Sequence, residues 1–428
     1  ESPVPATKLT REAAEELGLN PGTPVVGGGG DQAAGGVGNG IVVEGLISST
    51  IGTSGVVFAS TDSPKLDESA RVHTFCHAAP DTWHIMGVML SAGGSFQWFR
   101  NVLGTEEMAE AKEKAANAPD FDVLLENTAE AWKEIWNKAD ISLEGDRLAQ
   151  KLLRLHIYHL MSTISPHNID IDAGIPARGL HGEAYRGHIF WDEIYILPFY
   201  YMHFPEAARS VLLYRYKRLG EARKYAAEHG ESGAMFPWQS GSDGREETQV
   251  IHLNPISGEW GDDHSSLQRH VSLAIAYNTI QYGHYTRDRE FMNKYGAELL
   301  LEISRFWAGK AELDTDTGQY TICGVMGPDE FHEKYPDRET GGLDNNAYTN
   351  LMTAWVIQKT MDILEGMDAE SRESLFAKTG FREEEINSWK EICIRLKLDI
   401  SDDGIIAQYE GYFELEELDW DHYRNKYD

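Results

Sequence analysis

Apolar and polar positions change rhythm several times in the first hundred residues. Residues 11–18 carry apolar positions at helical spacing, and Pro21 and Pro24 stop that pattern before Val25 and Val26 run into four glycines, Gly27 to Gly30. From Ile41 to Ser60 the residues are β-branched and small, interrupted at Gly52, Thr53, Ser54 and Gly55, which predicts two strands joined by a tight turn. Val72 to Leu90 repeats the strand pattern, and Ser91 to Leu103 predicts a helix. The amino-terminal third therefore reads as mixed α and β.

Beyond Thr105 the strand signal fades and helical periodicity takes over, with heavy aromatic content. Leu152, Leu153, Leu155, Tyr158 and His159 form one such stripe; Leu299, Leu300, Ile303, Phe306 and Trp307 form another. Long loops rich in Gly, Pro and Asp separate these helices. Paired helices with long loops predict an all-α array, a helical barrel with its site at one rim being the leading form. No short internal repeat is visible.

Composition narrows the function. The 428 residues hold 69 acidic against 38 basic side chains, a net charge of -31, which repels phosphate backbones and anionic lipid and so argues against nucleic-acid and membrane partners. Three scattered cysteines, Cys76, Cys323 and Cys393, suit a reducing cytoplasm rather than a disulfide framework. No stretch is long and apolar enough to span a bilayer, and the first residues lack the basic and apolar segments of a secretion signal. His73, Cys76 and His77 lie close in sequence, but alternation points them to different faces, so a packed strand is expected and no metal site.

The amino-terminal motifs have two readings when taken singly. Backbone amides and the Thr53 and Ser54 hydroxyls between Gly52 and Gly55 suit an anionic oxygen, or the glycines serve only the turn. Asp31, at a predicted helix start, is either a general base or an N-cap. In order, however, Gly-Gly-Gly-Asp-Gln-Ala-Ala-Gly-Gly-Val-Gly (28–38), Ser-Thr-Ile-Gly-Thr-Ser-Gly-Val (49–56), Val-His-Thr-Phe-Cys-His-Ala (72–78) and Val-Met-Leu-Ser-Ala-Gly-Gly (88–94) resemble xylulokinases of the FGGY carbohydrate-kinase family. The resemblance covers residues 1–131 and implies an α+β fragment of an actin-like, ribonuclease H-like kinase lobe. It implies Asp31 as the base and Gly52 to Gly55 as the segment facing the nucleotide phosphates, with ATP and Mg as cofactors under that reading alone. The other lobe is expected before residue 1, so the kinase chemistry is expected to be idle.

The carboxy-terminal motifs speak of sugars. A carboxylic acid that protonates a leaving oxygen is the first requirement for breaking a glycosidic bond, and Glu330 sits in a loop rather than on a solvated helix face. Trp191 and Trp238 place aromatic planes beside polar tips, a pairing that also serves ordinary cores. Together, Ile-Pro-Ala-Arg-Gly-Leu-His-Gly-Glu-Ala-Tyr-Arg-Gly-His-Ile-Phe-Trp-Asp (175–192), Gly-Ala-Met-Phe-Pro-Trp-Gln-Ser-Gly (233–241), Gly-Pro-Asp-Glu-Phe-His (327–332) and Leu-Asp-Asn-Asn-Ala-Tyr-Thr-Asn (343–350) resemble glycoside hydrolase family 65. That family holds maltose, trehalose and kojibiose phosphorylases and related hydrolases. The resemblance spans residues 132–428 and implies a mostly α, incomplete (α/α)6 barrel. It implies Glu330 as general acid, Trp191 and Asp192 holding the glucosyl unit, and Trp238 and Asp329 close by. Cleavage is expected to invert, with inorganic phosphate or water attacking, and needs no metal or organic cofactor. His264 to His270 resembles members acting on trehalose-like substrates; an exposed helix bearing two histidines is the alternative.

The family's Lys-Gln segment and its phosphate-binding loop are expected after residue 413, beyond Asp428, so impaired turnover and self-association through exposed core surface are expected. Glu410 is a weak stand-in for a second carboxylate. Residues 120–131 suit either parent family, which marks a seam of chimeric character there.

Overall fold

A computed structural model describes residues 5–51, 54–67, 71–89, 112–164, 169–177, 185–329 and 332–427. The chain divides into two compact units, Glu1–Ala129 and Glu130–Asp428. Among the described residues no helix is long and apolar enough to cross a membrane.

In the first unit, β1 (Pro5–Lys8) pairs antiparallel with β2 (Pro24–Val26) around α1 (Arg11–Leu17). The Thr10 hydroxyl caps α1, and Gly18 closes it in the left-handed conformation that a residue without Cβ adopts freely. The helix α2 (Asp31–Gly38) follows the glycine run. Gly30, not Asp31, is its N-cap; Asp31 opens the first turn, exposed, its Oδ1 accepting the Gln32 N–H at 2.9 Å. Four strands, β3 (Ile47–Ile51), β4 (Gly55–Thr61), β5 (His73–Cys76) and β6 (Trp83–Met89), form an antiparallel sheet in the order β3-β4-β6-β5. The first strand starts at Ile47 rather than Ile41, because residues 42–46 turn back after α2 instead of extending. Phe58 on β4 is buried against Gly36 of α2, where an added Cβ would lie 2.9 Å from its ring. The turn residues Gly52 and Thr53 and the expected helix at 91–103 lie outside the described residues. His77 is fully engaged, its Nε2–H donating to Ile41 O and its Nδ1 accepting the Ala79 N–H.

The second unit is helical. Its principal helices are α3 (Phe121–Ala139, which begins in the first unit), α4 (Arg147–Thr163), α5 (Glu193–His203), α6 (Pro205–Lys217) and α7 (Leu219–Glu228), then α8 (Val271–Thr286), α9 (Arg289–Phe291), α10 (Ala297–Lys310), α11 (Ala347–Gly366), α12 (Ala369–Thr379), α13 (Glu383–Arg395) and α14 (Trp420–Tyr427). Two-stranded ribbons join them, including β7 (Ile251–Leu253) with β8 (Trp260–Asp262). The helix α10 is apolar almost all round, as a fully enclosed helix must be: Leu299, Leu300, Leu301, Ile303, Phe306 and Trp307 have no exposed surface.

Two acids interrupt that apolar surface. Glu298 accepts hydrogen bonds from Tyr216 of α6 (2.6 Å), Lys378 of α12 (2.6 Å) and Arg223 of α7 (2.9 Å), and Glu302 pairs with Arg223 and Arg305. Arg305 reaches on to Glu385 of α13. The buried acids thus pin three neighbouring helices to α10, and Arg305 pins a fourth. Burial alone opposes ionisation of Glu298, but the bonds from Lys378, Tyr216 and Arg223 outweigh it and hold the carboxyl below its ordinary value. A depressed folded value contributes stability that is complete above the unfolded glutamate value, about 4.3, and is lost as pH falls through the folded value. Urea unfolding of the wild type should weaken through that acid window. In Glu298→Gln the curve should be flatter there and the protein less stable at neutral pH.

Candidate active site

The site grows from a clamp on the segment that enters α5. Glu193, the first residue of that helix, is buried, and its Oε2 accepts from Arg215 Nε on α6 at 2.9 Å. The same guanidinium donates through Nη2 to the Phe190 carbonyl at 2.7 Å. Trp191 and Asp192 lie between the two anchored residues. Burial pushes the Glu193 carboxyl upward, and Arg215 opposes that shift.

A second segment is laid against the first. Ile189 and Ser240 exchange backbone hydrogen bonds at 2.9 and 3.0 Å, and His188 Nδ1–H donates to Gln239 Oε1 at 2.9 Å. Glu246 holds the loop by accepting the N–H groups of Trp238 (2.9 Å), Gln239 (3.2 Å) and Thr248 (3.1 Å). Gly233 makes the start possible: at φ +76°, an added Cβ would lie 2.4 Å from Glu302 O and from Phe306 N.

These loops bring Trp191 and Trp238 to 6.3 Å between ring centroids. His270, the N-cap of α8, sits 4.8 Å from Trp191 and 5.0 Å from Trp238, and Tyr348, in the first turn of α11, lies 6.2 Å from Trp191 and 6.0 Å from His270. Four rings from three helix starts and one loop thus meet. Burial pushes the Tyr348 hydroxyl up to about 12, so it stays protonated and can donate. Burial likewise pushes the His270 imidazole down to about 4, and its place at a helix start, the positive end of the peptide dipoles, disfavours the cation further. The alternative of an exposed helix with two histidines is therefore wrong for His270, which has no exposed surface.

The loop leading towards Glu330 reaches the same cluster. Val325 pairs with Leu343, and the Met326 N–H donates to Leu267 O at 3.0 Å. An added Cβ on Gly327 would stand 2.2 Å from Asn346 Nδ2, the side chain that caps α11. Asp329 is exposed on this loop, Asp192 is half-buried, and Glu330 lies outside the described residues. Glu410 has other work: Lys397 Nζ and Asn345 Nδ2 donate to it at 2.7 and 2.6 Å. Against the upward push of burial, those bonds hold its carboxyl below the ordinary value. It is an ion-paired strut at the foot of α11. Asp31, Ser54 and Gly55 belong to the first unit; Gly52 and Thr53 lie outside the described residues.

His270, Tyr348, Glu246 and Arg215 received no role from sequence reasoning. The first two stood inside recognised motifs, so a ring residue next to a helix start was the available signal. A groove of about 620 Å³ between α8, α9 and α11 shares no residue with this ring cluster.

An enclosed helical domain with an aromatic, polar-tipped cluster at its helix starts offers the mixed apolar and polar lining of a small-molecule site. Residues 154–428 match the glycosyl hydrolase family 65 central catalytic domain, so the chain belongs to that family. The matched region opens at Arg154, within α4. An uncharacterized glycosyl hydrolase of Mycobacterium tuberculosis is 43% identical over 394 residues, covering 89% of this chain and 30% of the relative. That match is longer than the stretch from Trp132 to Asp428, so it crosses the seam. The trehalose 6-phosphate phosphorylase of Lactococcus lactis is 44% identical, covering 73% of this chain and 39% of the relative. A solved structure described as a kojibiose phosphorylase from the human microbiome aligns with a TM-score of 0.62 at 26% identity, over 87% of this chain and 49% of that one. The chain thus spans less than half the length of these curated relatives.

Replacing Arg215 by Met leaves the Glu193 carboxylate buried without its partner and should cost about 3–5 kcal/mol in urea unfolding. Replacing both residues with apolar side chains should cost less than the single change, because no charge is then left buried.

Proposed function

We propose that the second unit cleaves an α-glucosidic disaccharide of the trehalose, kojibiose or maltose type with inversion, by phosphorolysis or hydrolysis. The convergence of Trp191 and Trp238 on one ring cluster carries this reading. Aromatic faces take the C–H faces of a pyranose, and Asp192, beside Trp191, takes hydroxyls. Glu330 serves as the general acid for the leaving oxygen, with Asp329 beside it in sequence. Phosphate or water attacks from the opposite face, and neither metal nor organic cofactor takes part. The relatives named for trehalose 6-phosphate and kojibiose phosphorolysis put phosphate ahead of water as the nucleophile. A phosphorylated disaccharide joins the substrates to be tried.

Trehalose, trehalose 6-phosphate, kojibiose and maltose, each with and without inorganic phosphate, test the reading. Phosphate-dependent release of a glucose phosphate is the expected outcome. Glu330→Gln should lower turnover by about 10²–10⁴-fold, the usual worth of a positioned general acid. Turnover untouched by that change would remove Glu330 from the mechanism.

The first unit supports a second reading, as a remnant of a xylulokinase-type ATP-dependent sugar kinase. A cavity of about 580 Å³ lined by Gly27 to Gly30 and by Cys76 to Trp83 supports it, with Asp31 at the adjoining start of α2. ATP-dependent phosphorylation of xylulose, abolished in Asp31→Asn, is the outcome that would make this unit a working kinase. Unchanged turnover of xylulose in Asp31→Asn would remove Asp31 from that reading.

A further inference from the structure

We propose that His270 is a positioning residue: its Nδ1–H ties the loop from Met326 to Asp329 to the ring cluster of Trp191, Trp238 and Tyr348. One side chain then sets both the sugar-holding rings and the approach to the acid. The inference rests on the α-glucoside-cleaving reading above.

The geometry assigns the proton. His270 Nδ1 lies 3.4 Å from Met326 O, and since a carbonyl only accepts, Nδ1 carries the hydrogen. The ring is neutral, so Nε2 is a bare acceptor; it is buried and has no hydrogen-bond partner among the described residues. A phenyl ring would fill the same space without that orphaned nitrogen. What the imidazole adds over a phenyl is therefore the bond from Nδ1 to Met326.

Residue 326 is held on both sides by one short segment. Its N–H donates to Leu267 O, and its carbonyl accepts from His270, three residues later at the start of α8. Val325 is paired with Leu343, and Gly327 is pressed on Asn346. The loop is thus fixed laterally by the segment before α11, and the Met326 carbonyl is aimed by His270. Since His270 also packs edge-on against Trp191, at 82° between ring planes, a shift of either partner is transmitted to the other.

Two variants of the full chain test this. His270→Phe keeps the ring and removes the donor; His270→Asn keeps a donor at the Nδ1 position. In His270→Phe, kcat should fall about tenfold with KM within about twofold, the pattern of a group that matters at the transition state rather than in binding. His270→Asn should recover most of kcat. Equal losses in both variants, or a change confined to KM, would overturn the proposal. Hydrogen exchange supplies a readout independent of turnover. Peptides spanning 324–329 should lose about tenfold in protection in His270→Phe while those spanning 187–192 keep theirs. Unchanged exchange at 324–329 overturns the proposal, whether or not any disaccharide is turned over. Absent turnover in the wild type with the expected exchange change would sink the catalytic reading and leave the positioning role standing. If His270→Phe does not fold, exchange in His270→Asn decides: wild-type protection at 324–329 supports the role, and its loss overturns it.

Discussion

The carboxylate of Glu193 and the guanidinium of Arg215 are both withdrawn from water, and neither can leave its partner without stranding a charge in an apolar core. That requirement turns a contact into a fixture. Because Arg215 also holds the Phe190 carbonyl, the two residues between the anchors, Trp191 and Asp192, inherit a fixed backbone. An apolar pair of the same volume would pack the core as well, but without the directional bond to Phe190 it would not aim the loop. The ion pair is better understood as a positioning device than as a source of stability.

The same economy recurs around the cluster. Glu246 gathers three backbone N–H groups of the Trp238 loop, and Tyr225 adds a hydroxyl that Arg269 in turn supports at 2.7 Å. Asn346 caps α11 while standing against Gly327, and Asn345, at φ +50°, reaches Glu410. The loop that carries Trp238 and the helix start that carries Tyr348 are therefore each anchored by side-chain hydrogen bonds. Rings mounted this way present a preformed surface, and little ordering cost remains for a ligand of the proposed class.

Much of this was legible in the sequence, and the limits are physical. The enclosed helix α10 announced itself through apolar periodicity, and the break at Pro21 and Pro24 ended α1 where expected. Trp191 and Trp238 stood out because an aromatic next to a polar tip is a local signal. That they meet could not be read, since 47 positions separate them and only the pairing of Ile189 with Ser240 closes the distance. The exposed-helix alternative for His270 fails for a related reason: histidine spacing cannot show that rings from elsewhere in the chain will bury it. Asp31 was placed one residue off as a cap, because a glycine takes the N-cap conformation with no side-chain bond to announce it. Glu410 went the other way, a carboxylate whose partners Lys397 and Asn345 reveal it as a strut.

The seam near residue 131 has a structural counterpart inside a single helix. Along α3, Phe121, Val123, Leu124 and Leu125 are exposed, whereas Trp132, Ile135, Trp136 and Ala139 form a stripe at helical spacing packed on the core of the second unit. The change in sequence character at Trp132 is thus the point where the helix begins to carry core residues. The mycobacterial relative matches across the same point, which ties the amino-terminal segment to the helical unit in at least one other chain. The helix α3 runs unbroken through that point, so the change in character is a change from exposed to packed positions along a single helix.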